Sequence, residues 1–338
     1  MGQYHHLISG LPDITIEDSK QAYSVYEFKG EIYKVLSCKD RALIDLFFLK
    51  YDNANLLRWL KDPEAEMDER GAISKEIFEA LLSSIADKKS KKEDLEIEDE
   101  EERKSAKLLK RGIKKVPPYI IEFLKQYQKK IEEQNREEQD ESEDLAFALE
   151  IEPIEPDDDE KNEVERPEIA WEDILATLYY AYAMKKGNKF ISQWFEINLN
   201  IKNILIAVTC RKHGLDKNLY IIGDSKIAKT LRSSNAKDYN LEDEVEYLSS
   251  VLKLAEEPDL VMREKRIDIL KWEWLEYNTI FKVFGIESVF SYLLRVEMIE
   301  RWAGLDQSMG EETFRELIMA MKKESNSTLE EFKKNNKR

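Results

Sequence analysis

Phe190-Ile-Ser-Gln-Trp-Phe-Glu-Ile-Asn-Leu-Asn-Ile-Lys-Asn-Ile-Leu-Ile-Ala-Val208 reads as one long helix, and as an interior one. Phe190, Trp194, Ile197, Ile201, Ile204 and Val208 recur at steps of four and three, the period that lines residues along one helix face. Ile191, Phe195, Leu199, Leu205 and Ile206 broaden that face until only a narrow polar stripe is left, made by Glu196, Asn200 and Asn203. Carboxylates and amides on such a helix need partners, because an unpaired buried one costs about 1–3 kcal/mol. Two readings stand for them: a structural network that fixes helix register, or one wall of a binding groove.

The same polar signature occurs earlier in the chain. Asp52-Asn-Ala-Asn-Leu-Leu57 and Asn200-Ile-Lys-Asn-Ile-Leu205 each place an Asp or Asn three residues before an Asn that leads two apolar residues. The first follows Phe47-Phe48 and the second follows Trp194-Phe195, so each sits late in an aromatic and apolar helix. Two such copies point to a duplicated helical lobe. A third, around Trp274 to Ile280 with Glu276 and Asn278, is too degenerate to count.

Outward from these helices the chain reads as mainly α, a multi-lobed helical bundle with duplicated lobes. The N-terminal exception is Tyr4 to Ile8, which reads as a short edge strand ended by Gly10-Leu11-Pro12. Thr15 or Asp18 is expected to cap a helix through Leu36, with Ala22, Val25, Phe28, Ile32 and Val35 on one side. Further helices are expected from Asp40 to Pro63, from Ser74, and from Pro117-Pro118 past Tyr127, fading over Glu132 to Glu143. After Pro167 the order is a helix carrying Trp171, Leu175, Leu178 and Tyr182, a break at Gly187, and the interior helix capped at His213-Gly214. His213 reads as a cap residue rather than a ligand. Helices follow near Asp224 to Arg232, Leu241 to Leu254, Leu260 to Phe284, Ile286 to Trp302 and Glu311 to Lys323.

Composition draws the boundaries. Residues 1–131 read as an N-terminal lobe with a charged insertion and 132–168 as an acidic, mobile linker. Residues 169–325 read as C-terminal lobes and 326–338 as a frayed tail. The linker is too poor in apolar residues to offset its ordering entropy. Its exception is the small apolar island Leu145-Ala-Phe-Ala-Leu149.

A net charge of -17 argues against nucleic-acid binding, which needs clustered Lys and Arg. The only cysteines, Cys38 and Cys210, make no CxxC pair and indicate a reducing compartment. There is no signal-peptide pattern and no apolar run long enough to span a bilayer, so a cytoplasmic location is expected. Three histidines leave little for a metal cluster or catalytic dyad, and no glycine-rich phosphate loop occurs. No cofactor, metal, small-molecule substrate or catalytic residue is therefore expected. Glu297, on the apolar stripe of Ile286, Phe290 and Leu293, precedes Arg301 by four residues. The pair reads either as a partly buried ion pair or as a partner-facing charge.

The duplicated motif resembles the Asp-x-x-Asn-Leu helices of the three-lobed C-type subunit of V-type and A-type ATPases, whose eukaryotic counterpart is the d-type subunit. Ser291-Tyr-Leu-Leu-Arg-Val-Glu-Met-Ile299 resembles a late helix of that family. The opening Tyr4-His-His-Leu-Ile-Ser-Gly-Leu-Pro-Asp13 with Ser19-Lys20 is similar to a bacterial family of unknown function found beside V-type ATPase genes. The resemblance implies a non-catalytic central-stalk component, peripheral on the cytoplasmic face of the membrane, with the shaft and the rotor ring as partners. On it, Asp52, Asn55, Asn200 and Asn203 are lobe-building positions. Asn200 departs from the pattern, standing where the first copy has an acid. The competing expectations are a cytosolic regulator or assembly factor with an acidic arm, and a helical enzyme using carboxylates alone.

Overall fold

A computed structural model describes residues 4–16, 23–86, 109, 111–148 and 170–305, with backbone alone for 135 and 137–148. The fold is mainly α, and no strand occurs among the described residues. The helices are α1 (His5–Ser9), α2 (Val25–Val35), α3 (Cys38–Lys61) and α4 (Lys75–Ala86). After the short α5 (111–115) come α6 (Pro118–Ala148), α7 (Trp171–Lys186), α8 (Lys189–His213) and α9 (Lys217–Tyr220). α10 (Lys226–Ser233), α11 (Leu248–Ala255), α12 (Leu260–Thr279) and α13 (286–305) complete the series.

The chain divides into two compact units, Met1–Arg41 with Asp259–Arg338, and Ala42–Pro258. This is not the sequential division expected from composition. α6 packs on both α4 and α7, so helices from the two sides of the acidic stretch share one core.

In the unit formed by Ala42–Pro258, α8 is the central element, and α7, α9, α10 and α11 all pack on it. Asn188 starts it by accepting a hydrogen bond from Ile191 N at 2.9 Å. Gly214 ends it in the left-handed region at φ 67°, which a side chain adopts only under strain. Phe190, Ile191, Trp194, Phe195, Ile197, Ile201 and Ile204 are all buried, as an all-round apolar helix requires. α3 joins the same core through tyrosine hydroxyls. Tyr179 of α7 donates to Leu46 O at 2.9 Å, and Tyr119 of α6 donates to Asn53 Oδ1 at 2.6 Å. Trp59 stacks on Phe78 of α4 with ring centroids 5.8 Å apart.

In the other unit, α2 turns Val25, Phe28 and Ile32 inward. Phe28 meets Tyr292 of α13 at 5.1 Å, and Val25 N donates to Glu300 Oε2 at 2.6 Å. α12 and α13 are joined by charge as well as by packing. Arg301 pairs with Asp268, which is 3% exposed and also accepts from Trp302 Nε1 at 2.8 Å.

Four expectations change. Tyr4 to Ile8 is not a strand: Ile8 N bonds Tyr4 O at 3.0 Å, a helical turn, and the segment is held by Tyr4 N donating to Phe284 O at 3.1 Å. α2 begins at Ser24 rather than near Thr15, because Ser24 and Glu27 form a reciprocal capping box there. Val35, at the end of α2 and expected on the same side as Val25, Phe28 and Ile32, does not share their burial and is 55% exposed. The helix expected to fade over Glu132 to Glu143 continues to Ala148. Asp18, Ser19, Lys20, Ala22, Leu149, the helix expected at Glu311 to Lys323 and the tail 326–338 lie outside the described residues.

Candidate functional site

The two copies of the polar motif build the same contact. In α3, Asn55 Nδ2 donates to Asp68 O at 2.9 Å, and Asp68 N donates back to Asn55 Oδ1 at 2.7 Å. In α8, Asn203 Nδ2 donates to Ile222 O at 2.8 Å, and Ile222 N donates back to Asn203 Oδ1 at 2.9 Å. Each amide thus clasps both backbone groups of a single residue in the loop that follows its helix. Asn55 is 1% and Asn203 0% exposed, so neither water nor a mobile side chain substitutes for these bonds.

The loops differ in length and converge in outcome. Asp68 lies 13 residues beyond Asn55, whereas Ile222 lies 19 beyond Asn203, with α9 inserted between. A glycine follows each clasped residue, Gly71 or Gly223, and then a Ser-Lys pair that opens the next helix at Ser74-Lys75 or Ser225-Lys226. Gly71 is required by space: a Cβ there would stand 2.6 Å from Asn55 Nδ2 and 2.9 Å from Asp52 Oδ1.

The motif's first position differs between the copies. Asp52, 1% exposed, accepts from Ala72 N at 2.7 Å and Ile73 N at 2.9 Å, so its charge is met by two backbone dipoles. Asn200 instead donates to Tyr247 OH at 3.2 Å, and its buried Oδ1 takes no hydrogen bond among the described residues. Burial pushes the Tyr247 phenol up to about 12, with the Asn200 bond opposing and the Glu196 charge reinforcing the shift. Glu196 itself is exposed, which corrects its expected place in the lobe-building stripe. The helix presents that edge to solvent, where a carboxylate needs no protein partner.

Around the first clasp, Arg70 grips Asp68 with Nε to Oδ1 at 2.9 Å and Nη2 to Oδ2 at 2.6 Å. Those bonds hold the Asp68 carboxyl below the ordinary carboxylate range, against the opposing effect of burial. Burial raises Tyr119 and Tyr179 well above the usual phenol value, and the nearby Asp52 charge adds to both. Both phenols serve as hydrogen-bonded struts, to Asn53 Oδ1 and to Leu46 O.

Glu297 and Arg301 are not joined as expected. Arg301 reaches across to Asp268 of α12, while Glu297 lies within electrostatic reach of Lys271. Burial lowers Lys271, with Glu297 and Glu264 acting in the opposite direction. With Arg295 and Glu276 at 3.7 Å, charges of opposite sign alternate along the α12–α13 seam. Among the described residues, no group of His, Cys, Asp and Glu is arranged to hold a metal ion, and no helix is long and apolar enough to cross a membrane.

Fold and clasps together define an all-α protein containing a repeated helix–loop–helix device. The chain belongs to a family described as a protein of unknown function (DUF2764), which matches residues 1–325. No curated protein and no solved structure is significantly similar to it.

Proposed function

We propose that the protein is a non-catalytic coupling component of a V-type ATPase. In this reading it acts in the manner of the C-type (eukaryotic d-type) central-stalk component, between the shaft and the membrane rotor ring on the cytoplasmic face. The observation that carries the reading is the duplicated clasp, because the motif behind the resemblance makes the same two bonds in both of its copies. The clasp also suits the task physically. A part that transmits torque must not let its helices slide, and an amide bonded to both the N–H and the C=O of one residue opposes slippage along the helix in either direction. Buried bonds of this kind, once made, are costly to break.

The test is affinity purification from the native cell with the co-purifying chains identified. Stoichiometric recovery of shaft and rotor-ring proteins is expected. Recovery only with incomplete complexes would favour an assembly factor, and recovery of no ATPase component would remove the proposal.

A further inference from the structure

A cavity of ≈ 490 Å³ lies within the unit formed by Met1–Arg41 and Asp259–Arg338, between the segment after α1 and the facing ends of α12 and α13. Ile8, Leu11, Ile280 and Val283 give it an apolar wall, and Arg295 provides a cation. The Arg295 side chain is only 20% exposed, and its guanidinium lies 5.3 Å from the Trp272 ring centroid and 5.9 Å from that of Tyr292. Both rings are within cation–π distance of it.

That guanidinium is poorly served by the protein. Its Nε is buried and has no hydrogen-bond partner among the described residues, and the Glu276 carboxylate oxygen nearest its Nη1 stands at 3.7 Å, beyond hydrogen-bond reach, which leaves the Nη groups as the end a ligand could meet. Glu276 is drawn instead to Trp272 Nε1 at 2.8 Å. Arg41 and Arg263 also have an unpartnered Nε, but of the three only Arg295 lines this cavity. The bordering hydroxyls already donate to backbone: Ser288 to Lys282 O, Thr279 to Leu275 O and Tyr292 to Pro12 O. The Nη groups of Arg295 are therefore the donors left for a ligand, and their planar pair of N–H groups matches a carboxylate. Glu276 and Asp13 border the same space and oppose anions, a dianion about twice as strongly as a monoanion, so a single carboxylate is the most the one guanidinium can hold there.

We propose that this cavity binds a small monocarboxylate with an apolar body, its carboxylate on Arg295 and its chain against Ile280, Val283 and the α1 segment. The site stands in a different unit from the clasps and does not depend on the coupling role.

Titration calorimetry of the full chain with hexanoate, 1-hexanol, hexylammonium and inorganic phosphate tests it. Hexanoate is expected to bind, and the other three to bind at least about tenfold more weakly, as loss of one charge-assisted contact implies. Arg295→Met should weaken hexanoate by a similar factor, and Val283→Asp should do so by repulsion. Val283 is 50% exposed, so the second variant reports even where the first does not fold. Absence of hexanoate binding, equal binding of hexanol, or unchanged hexanoate affinity in Val283→Asp would each overturn the proposal.

Discussion

Asn55 and Asn203 each use a whole side-chain amide on one loop residue, and the two clasps share no partner. Replacing either by Ala leaves a buried N–H and C=O unmet, so each single variant should lose about 1–3 kcal/mol in urea melts. The double variant should lose the sum within about 0.5 kcal/mol. Near-neutral effects would mean that the clasps add nothing to the fold. Asp68 adds a pH dependence of known sign. Its folded-state value is depressed by Arg70, so its contribution is complete above the unfolded carboxylate value of about 3.9 and is lost as pH falls through the lower folded value. Asp68→Asn should therefore flatten the acid limb of stability below about pH 4, measured as melting midpoint against pH. An acid limb unchanged in that variant would assign the protonation to other carboxylates.

At the scale of elements, Gly71 links a loop to the helix that clasps it. Gly71→Ala drives a Cβ into Asn55 Nδ2, and overpacking of this kind costs about 1–3 kcal/mol. Because the nearest clashing atom belongs to Asn55, the cost should shrink in an Asn55→Ala background, and a double-mutant cycle reads that coupling. Simple additivity would place the strain elsewhere. Sequence made α8 legible from its apolar period, its Gly214 cap and its polar Asn pair, since each is a local consequence of residue type. The clasp partners Asp68 and Ile222 were not legible: loops of unequal length reach the amide by backbone groups, which carry no sequence signature. A signal was present nonetheless in the glycine and Ser-Lys pair that follow each motif. The start of α2 was also written in the chain, as Ser24 and Glu27 at capping-box spacing, but the earlier Thr15 and Asp18 offered rival caps. At α1, the five residues from Tyr4 to Ile8 were too few to separate strand from helix, and the hydrogen bond to Phe284 O could not be read locally.

For the whole molecule, composition located the acidic stretch but not the division of the chain, because packing of α6 on α4 and α7 is a tertiary fact. The net charge of -17 makes binding to any basic partner surface, including those of the proposed ATPase partners, sensitive to salt. The proposed role, coupling without catalysis, is tested in membrane vesicles from cells lacking this protein, with and without its restoration. ATP hydrolysis by the V-type enzyme and ATP-driven ion uptake are measured on the same vesicles. Uptake is expected to be lost relative to hydrolysis and to return with the wild-type chain, but less fully with the Asn55→Ala, Asn203→Ala double variant. An unchanged ratio of uptake to hydrolysis in the absence of the protein would contradict the proposed role.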